Sequence, residues 1–177
     1  MEAQSLRKSS EVSHRKEQFA TAEKPFHFVD SGLDNAYLIG IKYFVESDGS
    51  QTAEIPAVKQ LMQLIAHDVV TSRHDLTGKE IRFLRKRLGK KATEYCTYLG
   101  VEPETLSRIE NEKQQPSVQS QKLARLSYCV FSEDPNLIDC ARTILESIVE
   151  EIETRPKKSR IVLEMDTNHE WRELTAA

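Results

Sequence analysis

The sequence predicts an α+β protein, mainly α, on three observations. Between Leu76 and Ser117 apolar residues recur at helical spacing three times, with a glycine or proline at each joint. Short β-favouring runs, Phe26-His27-Phe28-Val29, Tyr37-Leu38-Ile39 and Lys42-Tyr43-Phe44-Val45, lie ahead of that stretch, separated by turn formers. Two further amphipathic stretches follow Pro116.

Taken in order, residues 1–24 are rich in Ser, Glu, Lys, Arg and Gln, and read as a mobile polar arm. Residues 25–75 read as a small α+β subdomain. Asp30-Ser31-Gly32 and Asp34-Asn35 separate its strands, and Asp48-Gly49 closes the last, which predicts a small antiparallel sheet. Ala57 to Val70 then predicts an amphipathic helix with Val58, Leu61, Met62, Ile65 and Val69 on one stripe.

Residues 76–131 carry the densest local signals. Thr77 stands three residues before Glu80, a capping box that starts a helix at Gly78, with Ile81, Leu84 and Leu88 inward and Gly89 at its end. A second helix runs from about Lys91 to Leu99, burying Tyr95, Cys96 and Leu99, and Gly100 closes it. The third, residues 103–111, takes Pro103 in its first turn, where a missing N–H costs nothing, and buries Leu106 and Ile109. Three short helices joined this tightly predict helix-turn-helix geometry. Ser117 caps a fourth helix with Leu123, Leu126 and Val130 inward.

In residues 132–177, Asp134-Pro135 starts a long helix carrying Leu137, Ile138, Ala141, Ile144, Leu145, Ile148 and Ile152 on a broad apolar stripe. Packing within the chain or a homodimer seam would cover it. Residues 155–160 form a basic linker, and Ile161-Val162-Leu163 with Trp171 to Leu174 predict a C-terminal β-hairpin.

The charge is unevenly distributed. The chain has a formal net charge of −3, residues 77–128 carry 11 Lys and Arg against 6 Asp and Glu, and residues 129–154 carry 1 against 7. At physiological salt, charges more than about 8 Å apart are largely screened, so a positive module can engage phosphate beside an acidic one. A solvated helix face is the bland account of the run from Arg82 to Lys91. No apolar run approaches the roughly 18 residues of a membrane-spanning helix, and no signal-peptide pattern opens the chain. The three cysteines, Cys96, Cys129 and Cys140, fit reduced thiols in a cytoplasm. The five histidines are scattered, with none at ligand spacing from a cysteine or from another histidine. Neither a glycine-rich phosphate loop nor a nucleophile elbow occurs, so the expectation is no metal, no cofactor and no enzymatic activity.

Arg85, Cys96, Gly100-Val101, Leu106-Ser107-Arg108-Ile109-Glu110 and Pro116 together resemble the lambda-repressor-like (Xre) helix-turn-helix family over about forty residues. The resemblance implies a five-helix DNA-binding domain whose third helix enters the major groove. Carried over by position, it implies Glu104, Thr105 and Arg108 as base contacts and an ion pair between Arg85 and Glu110. Lys79, Lys90, Lys91, Asn111 and Lys113 are then the expected phosphate contacts. Members usually have Ser-Gln where this chain has Lys91-Ala92, and Gly where it has Glu112, which leaves Asn111 to take the left-handed role.

The segments SGLDNAYL (31–38) and LTGKEIRFLRK (76–86) also resemble the narrower MqsA-type (YgiT-type) antitoxin regulators. Those often open with a zinc finger of two Cys-x-x-Cys pairs. No cysteine precedes Cys96, so the resemblance implies a zinc-less relative. The expected function is a cytoplasmic, nucleoid-associated transcriptional regulator, a repressor binding a palindromic operator in double-stranded DNA as a homodimer. An antitoxin that binds a toxin protein and represses its own operon is the alternative, with residues 25–75 as the partner surface. Glu102, Glu104 and Glu112 suit a third reading, a protein-docking module.

Overall fold

The computed structural model describes residues 15–132, 134–149 and 161–173 and is α+β, with six α-helices and two small sheets among those residues. The first sheet has the order β1-β4-β5, built from β1 (Lys16–Phe19), β4 (Lys42–Val45) and β5 (Gln51–Ala53), all antiparallel. The second has the order β2-β3-β6-β7, from β2 (Phe26–His27), β3 (Ala36–Ile39), β6 (Ile161–Met165) and β7 (Trp171–Glu173). Its central pair, β3 and β6, is parallel, with Ala36 opposite Ile161 and Ile39 opposite Glu164.

These sheets correct two expectations. The polar arm ends earlier than residue 24, because Lys16–Phe19 pairs along β4 with Lys16 opposite Val45. An edge strand with three polar residues in four carries little apolar signal; ladder hydrogen bonds to β4 hold it. The single antiparallel sheet is in fact two, and the C-terminal hairpin β6-β7 joins the second by a parallel pairing. The rest of the arm (1–14), the linker 155–160, Ile152 and Leu174 lie outside the described residues.

Gly40 is where the chain passes from one sheet to the other. Its φ is +77°, and a Cβ there would lie 2.7 Å from the Met165 carbonyl oxygen, so both backbone conformation and close approach require glycine. Its N–H donates to Ala20 O at 2.9 Å, while Ala20 N–H donates to Ile41 O at 2.9 Å, stitching the two sheets at that corner. Helix α1 (Val58–Thr71) covers them with Leu61, Ile65, Ala66, Val69 and Val70 buried. Trp171 Nε1 donates to Pro56 O at 3.1 Å, fastening β7 to the entrance of that helix.

Helix α2 (Gly78–Arg87) starts with both halves of the capping box formed: Glu80 N–H donates to Thr77 Oγ1 and Thr77 N–H to Glu80 Oε2. Glu80 is fully buried, and its other oxygen, Oε1, lies 3.1 Å from His74 Nε2. His74 is buried as well, and its carbonyl accepts from Arg125 Nη2 at 2.6 Å. A polar knot thus fixes the link between α1 and α2 to the helix that carries Arg125.

Helices α3 (Ala92–Leu99), α4 (Pro103–Glu110) and α5 (Val118–Phe131) follow, each ending close to its expected boundary. The inward face of α5 differs from the expected stripe. Ser120, Gln121, Ala124, Arg125, Ser127, Tyr128 and Cys129 are buried, while Val130 is 59% exposed. Small residues at 120, 124 and 127 let α5 lie close to α2 and α3, and the hydroxyls are satisfied in place: Ser127 Oγ donates to Ala124 O at 2.8 Å. A 3-10 turn (Pro135–Leu137) leads into α6 (Ile138–Val149). Leu137 and Ile144 are buried against α5, but Ile138 and Leu145 are 61% and 51% exposed, so the described part of the broad stripe is half covered.

Candidate nucleic-acid interface

Helices α3 and α4 are joined by Gly100, Val101 and Glu102, with Gly100 left-handed at φ +63° and its neighbour Val101 N–H donating to Cys96 O. Leu106, Ile109 and Glu110 face inward from α4; Glu104, Ser107 and Arg108 are exposed, and Thr105 is half-buried between the two sets. A short helix with three outward polar residues needs an anchor behind it. Arg85 on α2 supplies it: Nε donates to Glu110 Oε1 at 2.6 Å and Nη2 to Glu110 Oε2 at 2.7 Å. Nη1 donates to Lys90 O at 3.0 Å, tying the start of α3 to the same guanidinium. The pair is 12% and 8% exposed, and hydrogen bonding to Glu110 holds the Arg85 pKa above its usual value.

Beside that pair, Gly78 meets the last turn of α4 so closely that a Cβ would sit 1.8 Å from Ile109 O. Tyr95 closes the other side. Its hydroxyl lies 3.2 Å from Ser127 Oγ on α5, and burial pushes its pKa up to about 12.

The helix beginnings differ in a way that bears on anions. Side chains cap α2 and α5, from Thr77 and Ser117. At α3 and α4, Lys91 and Glu102 occupy the N-cap with no side-chain hydrogen bond, which leaves first-turn amides free to meet phosphate.

The five expected phosphate contacts are not equivalent. Lys91, at the N-cap of α3, and Lys113, just past α4, are exposed. Lys79 is turned toward the protein: Nζ lies 2.6 Å from Asp34 Oδ2 and 3.6 Å from Glu112 Oε2, and its hydrogen bond to Asp34 raises its pKa. Lys90 Nζ is 2.8 Å from Glu94 and 5.7 Å and 6.0 Å from the Tyr98 and Phe131 ring centres, a cation held by a carboxylate and two aromatic faces. Asn111 is also engaged, with Nδ2 donating to Ser107 O at 2.7 Å. Its backbone φ is −98°, and the left-handed residue is Glu112 at φ +58°. The left-handed role therefore falls one residue later than expected, where Glu112 N–H donates to Ile109 O and Lys113 N–H to Arg108 O.

Three features escaped the residue pattern. Phe83 is buried beside Ile81 and Leu84, Phe131 at the end of α5 packs its ring at a tilt against Tyr98 with centres 5.2 Å apart, and Gly78 is a contact site rather than a helix start alone. Only the third had a local signal, a glycine standing where alanine would serve a helix better. Among the described residues no helix is long and apolar enough to cross a membrane. No protein-family model matches the chain, and neither a curated protein nor a solved structure matches it.

Proposed function

We propose that the protein is a sequence-specific, double-stranded-DNA-binding transcriptional regulator that places α4 in the major groove. One observation carries this reading: α4 is anchored from behind by the Arg85–Glu110 pair while Glu104, Ser107 and Arg108 face solvent beside two helix N-termini without side-chain caps. Arg108 is the base reader, Thr105 and Glu104 flank it, and Lys91 and Lys113 with the first amides of α3 and α4 hold phosphates and fix register. The protein acts as a homodimer on a palindrome, in the cytoplasm and on the nucleoid, with half-sites about one DNA turn, roughly 34 Å, apart. The exposed Ile138 and Leu145, one heptad apart on α6, are the candidate seam.

The test is selection of bound fragments from a random DNA pool, then a gel shift of the winning site with the parent and Arg108→Ala. A bidentate Arg–guanine contact is worth about 1–3 kcal/mol of discrimination, so the variant should lose its preference for the operator while keeping its circular dichroism. Equal operator affinity of variant and parent sinks the proposal.

An antitoxin role is the second reading, favoured by a groove of ≈ 630 Å3 between the sheets, lined by Phe19, Phe44, Ile55 and Met165 among others. Phe19 is exposed there, on the edge strand β1. Co-purification of a small basic protein encoded beside this one would support it, and a solitary gene favours the plain regulator.

A further inference from the structure

The loop ahead of β3 is pinned in place. Ser31 Oγ donates to Phe28 O at 2.7 Å and accepts from Leu33 N–H at 3.1 Å, and Leu33 is 2% exposed. Asp34 therefore leaves the N-terminal sheets at a fixed point, two residues before β3 begins. Its carboxylate reaches across to the helical segment, where Lys79 Nζ lies 2.8 Å from Oδ1 and 2.6 Å from Oδ2. No other described residue hydrogen-bonds that carboxylate. Glu112, the left-handed residue that follows α4, approaches the same ammonium at 3.6 Å.

One cation between two carboxylates leaves a net negative charge at the C-terminal end of α4. Recognition helices read bases with their N-terminal residues. With 8 residues α4 is about 12 Å long, as long as the major groove is wide, so its C-terminal end stands beside a phosphate strand. Lys113, one residue past Glu112, is exposed at that edge. The Lys79 and Asp34 side chains are 37% and 67% exposed, and ion pairs so open to water contribute little to stability. The pair bears on the field at this edge more than on the fold.

We infer that Asp34 is a brake on DNA binding: it holds Lys79 away from phosphate and sets a repulsion at the end of α4 where the lysine alone would attract. This role presupposes the DNA-binding reading, and adds to it a residue outside the helix-turn-helix that sets affinity. Asp34 is a positioning residue, acting through Lys79. Asp34→Asn keeps the size of the side chain and removes its charge, which frees Lys79 to make one phosphate contact more. Phosphate carries no base sequence, so the gain belongs to every duplex alike.

The experiment counts phosphate contacts by the salt dependence of affinity, since each contact releases condensed counterions. The full chain, as parent, Asp34→Asn, Lys79→Ala and the double variant, is titrated by fluorescence anisotropy against a labelled duplex of random sequence across about 50–200 mM salt. Asp34→Asn should bind more tightly and steepen the slope of log affinity against log salt by about 0.9, so that its advantage shrinks about 3.5-fold over that range. Lys79→Ala should keep the parent slope, and so should the double variant, because the cation to be released is gone. Asp34→Glu, which retains a carboxylate, should return the parent slope. Circular dichroism should be the same for all. A parent slope in Asp34→Asn overturns the role of Asp34 alone, as does an equal steepening in the double variant, which would make Asp34 a plain repulsive charge. A parent that binds the duplex at no salt concentration sinks the DNA-binding reading and the brake together.

Discussion

Replacing Gly78 by alanine sets two effects of opposite sign against each other. Alanine in a helix is worth about 1 kcal/mol over glycine, so an open site would be stabilised. At position 78 the new Cβ would lie 1.8 Å from Ile109 O and 2.8 Å from Ile109 C, and neither atom is the end of a flexible side chain. The backbone of α4 must withdraw by more than an ångström, loosening the buried Ile81 and Ile109 and stretching the Arg85–Glu110 bonds. A backbone clash this deep sits at the upper end of overpacking costs, about 3 kcal/mol, for a net loss of about 2 kcal/mol. Urea unfolding followed by circular dichroism should show a lower midpoint, and the melting temperature should fall by about 4–8 °C. A variant as stable as the parent would show that α2 and α4 do not touch as described, and the anchoring of α4 would fall with them.

Glu110→Ala leaves the Arg85 guanidinium mostly buried with only Lys90 O as partner, and should destabilise by about 3 kcal/mol in the same urea assay; Glu110→Gln, which keeps an acceptor, should lose less. Tyr95 supplies a pH signature. Its folded pKa of about 12 lies above the unfolded 10.0, so its contribution is complete below pH 10 and lost as pH rises to 12; near two units correspond to about 2–3 kcal/mol, and Tyr95→Phe should flatten that slope. For DNA binding, Lys91→Ala should reduce the slope of log affinity against log salt by about one unit, whereas Lys79→Ala, already paired with Asp34, should leave it unchanged. Equal slopes for the two variants would contradict the assignment of phosphate contacts.

Signals confined to a few neighbouring residues were legible in the sequence. Thr77 with Glu80, Gly89, Gly100, Pro103 and Ser117 punctuate the helices where local hydrogen bonding dictates. What depends on distant partners was not. Lys16–Phe19 becomes a strand only because β4 offers it a ladder, and β6 finds β3 from the far end of the chain. The orientation of α5 was misread because small and polar side chains, not its leucines, make the close face. Within the candidate site, the outward set on α4 follows from helical periodicity, and the link from Arg85 to Glu110 came from a family likeness. The occupation of Lys79 by Asp34 and the approach of Lys90 to the Phe131 ring depend on folding the chain back on itself, which no spacing rule encodes, whereas Lys90 and Glu94 stand four residues apart, a spacing that was open to reading.

The parallel ladder between β3 and β6 has a mechanical consequence. The strands β3 and β6, on either side of the helical segment in sequence, are neighbours in one sheet, so the segment is an insert between two paired strands. That sheet is a platform fastened by Trp171 to the entrance of α1. The platform, in turn, stays unfinished until translation has delivered its last strands.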